Sequence, residues 1–176
     1  MDAPRREADN DRMANSLKDS IGKMLDAYDT RRSADVAREK QSKEDDAYFL
    51  VRFAALRRDV VRPVFEQAGA MLAERGHAFE ISEDEFGADA EGKVREAGIS
   101  LHIAPAGMPA QLHADDHERS LSVSTRHYNK TVWISGGRAL HAGGTAGAKG
   151  AHAIERVDRQ LVEEEVVRLV GAVMGG

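Results

Sequence analysis

From Phe49 to Leu72 one apolar stripe keeps helical spacing over about seven turns, and no other stretch constrains the fold as strongly. Phe49, Leu50, Phe53, Leu56, Val60, Val61, Val64, Phe65, Ala68, Met71 and Leu72 form it, while Arg52, Arg57, Arg58 and Glu66 fall mostly on the other face. A helix with one apolar side has to lay that side on a second layer of structure. Pro63 has no amide hydrogen, so it should kink this helix or open a new one. Gly76, following Arg75, suits the left-handed residue that closes a helix.

The second layer follows in the chain. HAFEIS alternates Phe79 and Ile81 with polar neighbours, and GISLHIAP alternates Ile99, Leu101 and Ile103 until Pro105. SLSVSTRHY alternates Leu121, Val123 and Thr125; NKTVWIS comes after a tight turn at Asn129-Lys130, and AHAIERV supplies a last short strand. One-sided alternation marks an antiparallel sheet with one face on helices and one face in water. A closing helix begins near Asp158 as N-cap and buries Val162, Val166, Leu169, Val170 and Val173. The fold class expected is α+β. An antiparallel four- to five-stranded meander packs on the long preceding helix and on the C-terminal helix, with an additional charged helical arm at the N-terminus. The boundary falls between an arm and linker, 1–46, and the α+β domain, 47–176.

Composition narrows the function classes. The chain has no cysteine, which excludes disulfides, thiolate metal sites and a cysteine nucleophile. Its charged start lacks the apolar core of a secretory signal, and no apolar run reaches the roughly 20 residues of a membrane span. A soluble, cytoplasmic protein without membrane contact is expected. The net charge of −5 is unevenly spread: residues 77–118 carry two basic and ten acidic side chains, whereas 119–154 carry five basic and no acidic ones. Overall acidity disfavours general nucleic-acid binding but leaves room for a local basic face.

Within the arm, Met13, Leu17, Ile21, Met24 and Tyr28 recur at spacings of three and four, giving a single narrow apolar stripe. Such a stripe requires a partner: the body of the protein, a second copy or another protein. From Asp29 to Asp46 it fades into a segment with eleven charged residues of eighteen, read as a solvated helix or a linker.

Other motifs carry less. The glycine-rich stretch 135–152 has six glycines between 136 and 150, but Lys149 is preceded by alanine and followed by glycine, which is not a nucleotide-binding P-loop. It reads as a tether between strands. His113 and His117 frame His-Ala-Asp-Asp-His; on a helix they would share a face, with Asp115, Asp116 or a remote His102, His141 or His152 as a third metal ligand. Arg126, Tyr128, Arg138 and Lys149 lie in the basic segment with Trp133, as in sheet faces that hold bases and phosphates. Trp133 sits between Val132 and Ile134, and the sequence leaves open which set faces the core. The acidic residues from Glu80 to Glu91 read as a solvated patch rather than a catalytic pair.

The leading reading is a non-enzymatic interaction protein, an adaptor or a homodimer, without a cofactor, acting through Met13, Leu17, Ile21, Met24 and Tyr28 and its sheet face. The alternative is a nucleic-acid or phosphate-ligand module built on Arg126, Tyr128, Arg138 and Lys149. A third is a metal-dependent enzyme on His113, Asp116 and His117.

Overall fold

The computed structural model describes residues 4–108, 119–136 and 150–175, with side chains from residue 16 onward. The chain divides into two units, Met1–Asp45 and Asp46–Gly176.

The first unit is helical. Helix α1 spans Pro4–Leu56, and the part of it up to Asp45 belongs to this unit, roughly 60 Å at the usual rise per residue. Proline at the first position is compatible with a helix, since its missing amide hydrogen has no intrahelical partner there anyway. The charged stretch expected to be a solvated helix or a linker is helix. It is braced by exposed pairs one turn apart: Lys43 Nζ to Glu39 Oε1 at 2.7 Å, Arg38 Nη1 to Asp35 Oδ1 at 3.2 Å and Gln41 Nε2 to Asp45 Oδ1 at 2.9 Å. These hold the Glu39 carboxyl below, and the Lys43 ammonium above, its usual range through their mutual hydrogen bond and attraction.

In the second unit α1 ends at Leu56 and the chain passes through a π-helical turn, Arg57–Val61, into α2, Arg62–Ala73. Pro63 stands in the first turn of α2, so it opens a new helix. Gly76 takes the left-handed conformation, φ +81°, that ends it. Five strands form one antiparallel sheet in the order β1 (Ala78–Asp84), β4 (Gly98–Ala104), β5 (Ser120–Arg126), β6 (Thr131–Gly136), β7 (Ala151–Ala153). A two-residue ladder, β2 (Gly87–Ala88) with β3 (Val94–Arg95), lies between β1 and β4 where the sequence suggested only an exposed loop. The Asp89 carboxylate closes it, accepting from the Glu91 and Lys93 amides.

Two details depart from expectation. The reversal before β6 is not a two-residue turn but a 3₁₀ turn, His127–Asn129, followed by Lys130 in the left-handed region at φ 54°. That conformation costs roughly 1–2 kcal/mol for a residue with a side chain, and the Lys130 ammonium is tied to Asp46 at 3.0 Å. Strand β7 is also shorter than AHAIERV, since Ile154–Arg156 turns into a 3₁₀ helix. Helix α3 follows at Arg159–Met174, with Asp158 Oδ1 accepting from the Leu161 amide at 2.9 Å as N-cap.

The core lies between the helices and one face of the sheet. Ile99, Leu101, Ile103, Leu121, Val123 and Val132 meet Phe49, Phe53, Val61, Phe65 and Val162 there. α2 packs on β1 so closely that a Cβ at Gly69 would run into the Phe79 ring. No helix among the described residues is long and apolar enough to cross a membrane.

Candidate interaction surfaces

Three surfaces bear on function. The first is the α1 stripe in the first unit. Leu17, Ile21, Met24 and Tyr28 are exposed, Met24 to 71% of its surface and even the least exposed, Ile21, to 47%. Leu25, one turn after Ile21, widens the stripe and is also exposed. The 3–4 spacing could have included it. Met13 lies in the helix, with its side chain outside the described set.

The second surface is the sheet face turned away from the helices. Val132 is fully buried and Ile134 nearly so, which sends Trp133 to this outer face. Register aligns Ser82, Ser100, Ser122 and Ser135 in one row across four strands, and the Ser100 and Ser122 hydroxyls are 2.7 Å apart. The next row sets Ser124 opposite Trp133, and beyond it Arg126 faces Thr131. The Arg126 guanidinium stands 4.8 Å from the Trp133 ring centroid, a cation–π contact, and among the described residues it has no carboxylate partner. The outward positions of β4, β5 and β6 hold serine, threonine, His102, Arg126 and Trp133 but no acid. The strand ends at Arg126, so the alternation does not carry on to Tyr128, which stands exposed in the 3₁₀ turn. Arg138 and Lys149 lie outside the described residues, as do His113, Asp116 and His117. Among the described residues no group of three or more metal-ligating side chains comes together.

The third surface was not anticipated. Between α2 and α3 of the second unit runs an apolar groove of about 280 Å³, walled by Ala68, Leu72, Val166 and Val170 with Met71 and Val167 at its rim. Met71 belongs to the stripe expected to be buried, yet half of its surface is exposed.

The polar clusters are paired among themselves. The acidic patch is partly neutralised. Arg57, nearly buried, gives Nη2 to Glu85 Oε1 at 2.6 Å and Nη1 to the Asp84 carbonyl at 3.1 Å, while Arg62 Nη2 holds Glu83 Oε1 at 2.7 Å. The sequence could not pair these, because the arginines precede their acids by more than twenty residues. Glu96 accepts from Thr125 Oγ1 at 2.7 Å and from the His127 amide, and its Oε1 lies 2.7 Å from His127 Nδ1. These contacts pin the turn beyond β5 to the end of β4's lead-in. His102, buried on the outer face, has Nε2 at 3.4 Å from Ser82 Oγ. Among the described residues no carboxylate bonds its other ring nitrogen.

No protein-family model matches the chain, and no curated protein or solved structure matches it either.

Proposed function

We propose that this is a non-enzymatic interaction protein whose working surface is the α1 stripe. One observation carries the reading: five large apolar side chains, Leu17, Ile21, Met24, Leu25 and Tyr28, stand exposed on a continuous helix. Single exposed apolar residues are ordinary on any protein, but a contiguous row at heptad spacing is the signature of a helix that packs on another polypeptide. A photo-crosslinking amino acid at Met24, on the stripe, is expected to trap a protein adduct in cells. The same probe at Asp26, about 200° further round the helix, is expected to trap none. Equal labelling at both positions, or none at either, would sink the reading.

A second reading rests on the outer sheet face. In a chain of net charge −5, three neighbouring strands turn outward no acid, a row of hydroxyls, an indole and an arginine free of carboxylate partners among the described residues. That chemistry suits phosphate groups and stacked bases. Quenching of Trp133, the only tryptophan, by single-stranded oligonucleotides at low salt, lost at high salt and weakened by Arg126→Ala, is the expected sign. A titration with no saturable change would remove this reading.

A further inference from the structure

The stripe also carries information about its occupant. Taking Leu17 and Met24 as d positions makes Ile21 and Tyr28 a positions of a two-stranded coiled coil. The same frame, carried along the unbroken helix, puts Arg31 and Arg38 at d and Asp35 at a. In a parallel, in-register pair each of these three would face its own copy, giving three consecutive layers of like charge at the seam. Like charges held together in this way are destabilising.

An antiparallel pair has no such conflict. Its layers match an a position with a d position of the other copy. Centring the pair between Gly22 and Lys23 sets Leu17 opposite Tyr28 of the second copy and Ile21 opposite its Met24. Four apolar layers then close on themselves by the twofold axis. Beyond them the charges are complementary: Arg38 meets position Glu7 of the second copy, and Arg32, beside the seam, has position Asp11 as a flanking neighbour two residues from its own level. Asp35 meets Asn10, and Arg31 meets Ala14. The overlap, residues 4–41 of each copy, uses only the first unit, Met1–Asp45. Lys23, Asp19 and Asp26 stay on the outer side of the pair. We infer that the α1 stripe is a self-complementary, antiparallel dimerisation helix whose partner is a second copy of this chain.

This rests on the reading of the stripe as a protein-binding surface and adds the partner and its direction. The native chain has no cysteine, so introduced thiols report without background. Two residues eleven apart on one helix are separated by roughly 16 Å, too far for an intrachain disulfide, whose Cα atoms sit within about 7 Å. In the antiparallel pair Leu17 and Tyr28 of opposite copies share a layer, whereas Leu17 and its own counterpart lie roughly 16 Å apart along the axis. Under mild oxidation, full-length chain carrying Leu17→Cys together with Tyr28→Cys is expected to become a covalent dimer. Each single variant is expected to stay uncrosslinked. Ile21→Asp is expected to weaken association at least about tenfold, as loss of a central apolar anchor does, with light scattering as the readout. Covalent dimers from either single variant would show a parallel pair and overturn the proposal. Failure of the double variant to crosslink would overturn it as well. In that event a Met24 photo-adduct of a mass other than two chains keeps the protein-binding reading alive, and its absence removes both.

Discussion

Phe49 and Phe53 are buried in the core of the second unit, while Leu17 and Met24 stand in solvent, although all four belong to α1 and recur at helical spacing. The local code is the same: apolar residues three or four apart on a chain of good helix formers. What differs is what lies against them. Phe53 belongs to the buried cluster that also holds Ile99, Val61 and Val162. Met24 shares its helix face with Ile21 and Tyr28 and is 71% exposed. Periodicity therefore tells where an apolar face is and leaves open whether it is spent on folding or kept for a partner.

The sharpest way to test that contrast is to truncate one residue from each stretch. Phe53→Ala is expected to destabilise the second unit by about 3–5 kcal/mol, the usual range for a buried phenylalanine. Met24→Ala is expected to change the same urea unfolding transition by no more than about 0.5 kcal/mol, provided the protein is dilute enough for any pairing to be dissociated. Trp133 fluorescence follows both. A Met24→Ala cost near that of Phe53→Ala would erase the distinction between the two stretches.

The α+β architecture was legible because the period changes sharply, from helical spacing up to Leu72 to strict alternation from Phe79 onward. Asp158 and Gly76 announced helix ends through their side-chain chemistry alone. Less was legible where the decisive partner is distant in sequence. Trp133 took the outer face because Val132 and Ile134 align with Thr125 and Val123, both inward, and that pairing is a property of the register. The Arg57 and Arg62 pairs join the π turn and the first residue of α2 to Glu85 and Glu83, more than twenty residues further on. Of the candidate sites, the α1 stripe was readable as a pattern, whereas its exposure was not. The α2–α3 groove escaped notice because Met71 matches the spacing of residues that are buried, while Val167 falls outside the buried stripe of α3.

A polar core residue sharpens the comparison from the other side. Thr125 is fully buried; its hydroxyl donates to Glu96 Oε2 at 2.7 Å and accepts from the Ala97 amide at 3.0 Å. Thr125→Val keeps the volume and leaves the buried Ala97 amide without its hydroxyl acceptor, while Glu96 keeps His127, so a loss of about 1–3 kcal/mol is expected in the same unfolding measurement. A hydroxyl on the exposed part of α1 has no such role: among the described residues Thr30 bonds the Asp26 carbonyl of its own helix alone, and Thr30→Val is expected to fall within about 0.5 kcal/mol. Equal costs for the two threonines would mean that burial is not what sets them apart.

The smallest effect separates the two regions by the reach of an ion pair. Glu155 accepts from Arg52 Nη1 at 2.6 Å, a contact between residues far apart in the chain, and that hydrogen bond is the first cause holding its carboxyl below the ordinary range. Glu39 is lowered likewise, by Lys43 one turn along its own helix. A carboxyl whose folded pKa is depressed adds stability above its unfolded pKa, about 4.3 for glutamate, and loses it as pH falls through the lower folded value. Both groups are exposed, so solvent screening keeps the effect small. Glu155→Gln is therefore expected to lower the urea midpoint of the second unit slightly at neutral pH, with the gap to the parent chain closing at about pH 3. Glu39→Gln is expected to leave that midpoint alone and to reduce only the far-ultraviolet helix signal, because its pair closes within one helix. A Glu155→Gln gap of the same size at both pH values would mean that the lost attraction to Arg52 is not its cause.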